Sequence, residues 1–136
     1  MQSSLEKKIN NLETILELEG EEGQFEYFIV IGKKNKNFLP ENKTESNKMS
    51  GCLAQVWIVH KKLGNKNYYT GDSDAMIVKG LVTIISEALS GMTNLEIKNV
   101  DHSIGNRLGL GPSLSARRQV GMMAMIDHIK IITGVK

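Results

Sequence analysis

The sequence has few of the residues that cross-link a chain or hold a metal. It contains one cysteine, Cys52, among 136 residues, so no disulfide forms within the chain and no oxidising compartment is indicated. That cysteine and three dispersed histidines show neither a CxxC pair nor an HxxxH spacing, which argues against structural zinc and against a cluster held by this chain alone. We therefore expect no metal ligands and no bound cofactor.

Aromatic residues and excess charge are also scarce. Aromatics make up 5% of the chain and the formal net charge is +2, too little stacking surface and positive charge to indicate a nucleic-acid partner. No apolar run approaches the ~18 residues that a membrane span requires. The N-terminal stretch "MQSSLEKKINN" lacks the apolar core of a signal peptide. A soluble, cytoplasmic protein is expected.

We predict that residues 1–136 form one domain. Helical patterns dominate the first quarter of the chain. Ser3 and Glu6 have capping-box spacing, and apolar residues then recur at helical intervals up to "GEEG" at 20–23, which is expected to end the helix. A second short helix is predicted to end at Gly32. The polar segment 33–48 is then predicted to be a long loop, either a docking surface or merely solvated.

The remaining elements begin with a predicted hairpin. Strands are indicated by the β-branched and aromatic residues of "QVWIVHKK" and by "YYTG", with "LGNKN" as the turn. There follow an apolar helix capped by Asp72, Ser73 or Asp74, a short helix with a capping box at Thr93 and Glu96, a glycine-rich connection, and a last helix from Ser115 to about Thr133. Because helices and strands are segregated, the predicted class is α+β, with a short antiparallel sheet of about three strands packed against helices on one face.

Cys52 is the one residue whose setting suggests reactivity. A lone free cysteine is commonly a small buried apolar side chain. Here, however, Gly51 precedes Cys52, and a glycine allows a partner to approach the backbone closely. Cys52 also lies where the predicted polar loop joins the predicted strand, and reactive residues are often found in such loops. His60 lies too far along the predicted strand to act as its base, and His128 is expected to face solvent. The residues alone leave open a thiol enzyme such as a hydrolase or peroxidase, a non-catalytic binding domain with Cys52 in its core, and a presented thiol.

Three stretches, taken together, resemble the SufE family of sulfur-acceptor proteins, which includes CsdE. "SGCLAQVWIV" is similar to the family's Gly-Cys-x-x-Gln-Val-Trp block, "GDSDAMIVKGLV" to its Gly-Asp-Ser-Asp-Ala segment, and "LGLGPSLSARRQVGMMAMIDHI" to its Leu-Ser/Thr-x-x-Arg ending. They occur in the family's order and spacing, so the resemblance spans nearly the whole chain. The sequence departs from the family at Leu53 and Ala54, where Gln-Ser is frequent, and at Ala116, where proline is common.

The resemblance implies a SufE/IscU-like fold and a bacterial-type role in iron–sulfur cluster assembly. Cys52 would carry sulfur as a persulfide, Arg118 would support the thiolate, the persulfide or docking, and Gly51, Gln55 and Asp74 would lie on the partner-binding side. The implied partners are a cysteine desulfurase of the SufS or CsdA type, which holds its own pyridoxal phosphate, and a SufB-containing scaffold. The chain would then be a covalent sulfur carrier and desulfurase activator, monomeric or homodimeric, rather than a stand-alone enzyme.

Overall fold

The computed structural model describes residues 4–50, 54–108 and 116–136, except for the side chains at positions 21, 22, 106 and 118. Its class is α+β, as predicted. In chain order the elements are α1 (Ser4–Lys34), two 3-10 turns (Pro40–Asn42 and Glu45–Asn47), β1 (Val56–Leu63), β2 (Lys66–Ser73), α2 (Met76–Leu89), α3 (Asn94–Lys98), α4 (His102–Leu108) and α5 (Ala116–Thr133).

The first helix, α1, is broken into two arms at Gly20. This residue has φ 73° and ψ 176°, a backbone conformation that only glycine adopts readily, so the predicted break at "GEEG" is confirmed. The second arm continues to Lys34, so the predicted end at Gly32 is wrong. Gly32 is instead buried against α2, where an added Cβ would lie 3.0 Å from the backbone nitrogen of Gly80. Ser3, the predicted cap of α1, lies outside the described residues.

The sheet is an antiparallel hairpin in which Val56 pairs with Ser73 and Leu63 pairs with Lys66 across a two-residue turn. Within the described residues it has two strands, one fewer than the approximate number predicted. Lys48 meets Trp57 at the outer edge of β1 through a single isolated bridge. The residues just before Lys48 form a 3-10 turn, and this leaves no extended backbone there for a longer ladder.

Helix α2 packs between α1 and the hairpin and forms the centre of the core. Gly80 permits the closest approach, because a Cβ at this position would lie 2.0 Å from the Phe28 carbonyl oxygen of α1. The inward faces of β1 and β2 and one face of α5 complete the core. Its largest fully buried side chains are Phe28, Ile9, Ile58, Leu81, Ile85, Leu89, Ile97, Leu108, Met122, Met125, Ile126 and Ile129.

The C-terminal half contains one helix that the sequence did not predict. Residues of the expected glycine-rich connection form α4, which is tied to α1 by Arg107 through Glu6 at 3.0 Å and Glu13 at 2.7 Å. The capping box at Thr93 and Glu96 is confirmed. The last helix ends at Thr133 as predicted, whereas Ser115, its expected first residue, lies outside the described part. None of the helices within the described ranges is long and apolar enough to cross a membrane.

Candidate functional site

The residues predicted to carry the chemistry are only partly within the described structure. Gly51, Cys52 and Leu53 lie outside it, as does the side chain of Arg118, whose backbone is in α5. Gln55 and Asp74 are described, and both are exposed. The geometry of the site is therefore that of the residues on either side of Cys52 and of the groups that contact them.

The chain before Cys52 is held against the outer edge of β1. The Met49 N–H donates to the Val56 carbonyl at 2.9 Å, and the neighbouring Lys48 forms the bridge with Trp57. The Met49 side chain is buried, with 3% of its surface exposed, so an apolar contact reinforces the backbone bond. Met49 and Val56, which flank the segment 50–55 in the chain, therefore lie side by side in the fold. We call this segment, which includes Cys52, the thiol loop.

The chain after Cys52 is held by Asp74. Gln55 and Asp74 continue the hairpin register by one pair beyond Val56 and Ser73, and the Asp74 N–H donates to the Gln55 carbonyl at 3.3 Å. The Gln55 N–H, however, donates to Asp74 Oδ1 at 3.0 Å, and Gln55 Nε2 donates to Oδ2 at 3.3 Å. A side-chain carboxylate thus accepts the bond that a strand carbonyl would normally accept. This replacement ends the ladder and leaves the backbone after Asp74 free to enter α2.

Asp72 is the charged residue buried beneath this region. It retains 4% of its surface exposed, and its carboxylate contacts two ammonium groups, Lys43 at 3.2 Å and Lys79 at 3.3 Å. Asp72 Oδ1 also accepts the Ser73 N–H at 2.8 Å. A buried carboxylate requires such compensation, because the loss of hydration costs several kcal/mol. The two lysines exceed the carboxylate by one positive charge.

Lys43 connects this carboxylate to the polar segment before the thiol loop. Its ammonium group lies 5.6 Å from the centroid of the Trp57 ring as well as beside Asp72. Trp57 and Asp72 are register partners on the hairpin, so one lysine contacts both strands. The cation–π and ionic contacts together hold the 3-10 turns of residues 40–47 against the sheet.

These contacts correct the predicted role of the "GDSDA" stretch. The N-cap of α2 is Ala75, with no side-chain cap bond, and Ser73 Oγ accepts the Ala75 N–H at 3.2 Å just before the helix. The prediction that Asp72, Ser73 or Asp74 caps α2 is therefore wrong: the Asp74 carboxylate accepts from Gln55 across the hairpin, and the Asp72 carboxylate contacts Lys43 and Lys79. No group of three potential metal-ligating side chains occurs in the part of the chain that the structure describes.

Two of the described histidines, His60 and His128, have settings that the structure defines. His60 Nε2 lies 2.7 Å from Asn67 Oδ1, and its ring stacks on Tyr69. The Asn67 amide nitrogen already donates to two oxygens, so the Oδ1 atom accepts and His60 Nε2 donates. The expectation that His128 faces solvent is wrong: Nε2 of this half-buried ring is buried and has no hydrogen-bond partner among the described residues, and burial lowers the His128 pKa.

An apolar groove of about 320 Å³ lies between α1, α2 and Leu108. Its walls include Leu12, Tyr27 and Ile84, and neither Gln55 nor Asp74 lines it. The groove is therefore separate from the contacts that hold the thiol loop.

The comparisons with known proteins agree with the motifs. A family model described as "Fe-S metabolism associated domain", SufE, matches residues 10–133. The chain belongs to the SufE family. A SufE-like protein of Rhizobium etli is 36% identical over 114 residues, covering 80% of this chain and 77% of its own length. A SufE-like protein of Rhizobium meliloti is also 36% identical over 114 residues, covering 80% and 81%. One from Synechocystis is 37% identical over 98 residues, covering 72% and 62%.

Membership of the SufE family connects the chain to iron–sulfur metabolism and supports a role in sulfur transfer. The sequence motifs singled out Gln55 and Asp74, which contact each other in the structure. They gave Asp72 the wrong role and did not single out Lys43 or Lys79. The sequence feature that could have indicated these contacts is the Asp-x-Asp spacing at the end of β2, which equals the spacing of Gln55 and Trp57 beside it. This feature can be interpreted only when the hairpin register is known.

Proposed function

We propose that this SufE-family chain accepts sulfur as a persulfide on Cys52 from a cysteine desulfurase, stimulates that desulfurase, and passes the sulfur to a SufB-containing scaffold for cluster assembly. The observation that carries the proposal is the family match over residues 10–133, which spans the "SGCLAQVWIV" block. The proposed setting is one cytoplasmic domain over residues 1–136. The pyridoxal phosphate belongs to the desulfurase.

The transfer step is a thiol–persulfide exchange. The Cys52 thiolate attacks the terminal sulfur of the desulfurase persulfide, a new S–S bond forms on Cys52, and the S–S bond on the desulfurase breaks. The desulfurase cysteine leaves as a thiolate, and the transferred sulfur keeps its oxidation state. The absence of a second cysteine in the chain suits this role, since no neighbouring thiol of the same chain can resolve the persulfide into a disulfide.

The described contacts support a thiol presented on an anchored loop. One arm of the thiol loop is held through Met49 and the other through Asp74, while Lys43 fixes the segment that precedes it. Two fixed ends lower the entropy cost of placing a nucleophile opposite a partner's persulfide. We assign Gln55 and Asp74 to this anchoring and to the partner-facing surface with Gly51. Arg118 is assigned to support of the thiolate or persulfide, because a cation favours the charged form.

The decisive experiment is mass spectrometry of the intact protein after incubation with a cysteine desulfurase, pyridoxal phosphate and cysteine. We expect the mass of one added sulfur atom, located on the Cys52 peptide and removed by a reducing agent. Cys52→Ser is a stringent control because it removes the only thiol of the chain. This variant should still bind the desulfurase but gain no sulfur and give no stimulation. Stimulation by Cys52→Ser at the wild-type level would contradict the proposal.

A further inference from the structure

The positive charge of the chain is concentrated in the polar segment before the thiol loop. Residues 33–48 contain five lysines and two glutamates, a formal net charge of +3, whereas the whole chain carries +2. The rest of the protein is therefore slightly acidic. The first part of the segment, residues 33–40, includes three of these lysines and no acidic residue.

These charges are not neutralised by the described structure. Lys33, Lys34 and Lys36 are exposed, and no ion pair to a described carboxylate involves them. Lys43 is paired, but with Asp72, which Lys79 already contacts, so that cluster also retains a positive charge. Lys33 and Lys34 lie in the last turn of α1, where the helix dipole favours cations. This local explanation does not extend to Lys36, which follows the helix.

The lysines are displayed on an ordered scaffold rather than on a free tail. Asn35, between Lys34 and Lys36, donates from Nδ2 to the Gly71 carbonyl at 2.8 Å and to Thr83 Oγ1 at 2.9 Å. Gly71 directly precedes Asp72, so this anchor places the cations beside the end of the hairpin that holds the thiol loop. The two 3-10 turns are joined by a bond from Asn47 Nδ2 to the Asn42 carbonyl.

We propose that Lys33, Lys34 and Lys36, a group we call the lysine strip, form an electrostatic docking surface for an acidic face of the desulfurase that loads Cys52. This inference rests on the proposed function and adds the chemistry of partner recognition to it. Exposed charges act over about 10 Å at 0.1 M salt and over about 30 Å at 0.01 M salt, so the strip accelerates encounter before short-range contacts form. Because Asn35 anchors the strip to β2 near the hairpin end that holds Gln55, a partner attracted by the strip arrives near residues that flank Cys52 in the chain.

The test measures association directly, independently of sulfur transfer. The Cys52→Ser protein and its triple variant Lys33→Glu, Lys34→Glu, Lys36→Glu are mixed with the desulfurase of the same organism at several salt concentrations. We expect the association rate constant at low salt to fall about ten-fold or more in the triple variant, and the salt dependence to weaken. The matched control is Lys7→Glu, Lys61→Glu, Lys66→Glu, which has the same net charge and alters exposed lysines away from the strip. It should change the rate constant by less than about three-fold.

Three outcomes decide the proposal. Equal association rates for the strip and control variants would overturn it, as would wild-type association with no salt dependence. A strip variant that loses affinity for single-stranded RNA while its desulfurase association is unchanged would assign the strip to nucleic acid instead. The introduced glutamates at positions 33 and 34 also oppose the helix dipole at the end of α1. Thermal unfolding of the variant is therefore checked, and the three Lys→Gln changes serve as a milder second variant.

The same proteins with Cys52 intact separate this inference from the proposed function. If the strip variant associates with the desulfurase as fast as wild type, and Cys52 still receives sulfur at a saturating concentration of the SufE-family chain, the docking inference alone fails. If no sulfur reaches Cys52 at any concentration although the proteins associate in a strip-dependent way, the transfer role fails and the docking surface stands.

Discussion

Asp72 provides the sharpest prediction, because it has two cationic partners and is the one charged side chain in the buried set of described residues. Removing either Lys43 or Lys79 leaves the other lysine to compensate the carboxylate. Removing both leaves a carboxylate that is 4% exposed and has the Ser73 N–H as its remaining hydrogen-bond donor among the described residues. The effects of the two substitutions on the free energy of unfolding should therefore be strongly non-additive.

The size of each loss in unfolding free energy follows from the exposure of the lysine side chains. The Lys43 and Lys79 side chains are 43% and 33% exposed, so each ammonium group returns to water easily, and each single Lys→Met change should cost about 0.5–1 kcal/mol. Methionine keeps an apolar stem in place of the lysine chain. The double variant strands a buried charge, a situation that costs about 3–5 kcal/mol. The loss should exceed the sum of the single losses by at least about 1 kcal/mol.

Urea unfolding measures this coupling, with the fluorescence of Trp57 as a local probe and far-UV circular dichroism as a global one. The same lysine changes made in the Asp72→Asn background provide the control. There is then no charge to strand, so the lysine effects should add. Additivity within about 0.5 kcal/mol in the Asp72 background would refute the reasoning, since it would mean that the two lysines act on separate groups.

Three further substitutions test the packing and the buried polar groups. Gly80→Ala should destabilise the fold by about 3 kcal/mol or more in urea unfolding, because its Cβ would lie 2.0 Å from the Phe28 carbonyl oxygen; a loss below about 1 kcal/mol would contradict this close approach. Asn67→Asp should lower the free energy of unfolding by about 3 kcal/mol. The fully buried Asn67 amide donates two hydrogen bonds, at 3.0 and 2.9 Å, and a carboxylate can only accept. A thermal melting temperature equal to that of wild type would rule this out. Burial lowers the His128 pKa, so the unfolded chain binds a proton more readily than the folded one, and stability is lost as pH falls below about 6.5. The free energy of unfolding should therefore decline less steeply from pH 7 to pH 5 in His128→Gln than in wild type, and parallel curves would exclude this titration.

The sequence predicted the elements whose signals are local. The hairpin follows from β-branched residues on either side of "LGNKN", and the break in α1 follows from glycines that tolerate a positive φ. The capping box at Thr93 and Glu96 was recognised for the same reason, since both partners lie within one turn. Each of these features depends on residues that are neighbours in the chain.

The features that the sequence missed depend on distant partners. Helix α4 contains Gly105, a poor helix former, and its stabilising contacts come from elsewhere, including the Arg107 ion pairs to Glu6 and Glu13. The half-buried setting of His128 likewise depends on tertiary packing around α5. Propensity and spacing do not record such contacts, which is why a glycine-rich connection and an exposed histidine were expected instead.

The two aspartates at the end of β2 show how the hairpin register determines the geometry of the site. In an antiparallel pair, moving two residues forward on one strand means moving two residues back on its partner. Because Asp72 pairs with Trp57, Asp74 therefore lies opposite Gln55. A slip of one residue would move both carboxylates to the other face of the sheet. The Lys43 contact before the thiol loop and the Gln55 contact after it would then be lost together. The two-residue turn after Leu63 fixes the register from the far end of the hairpin, so it also sets the anchoring of Cys52.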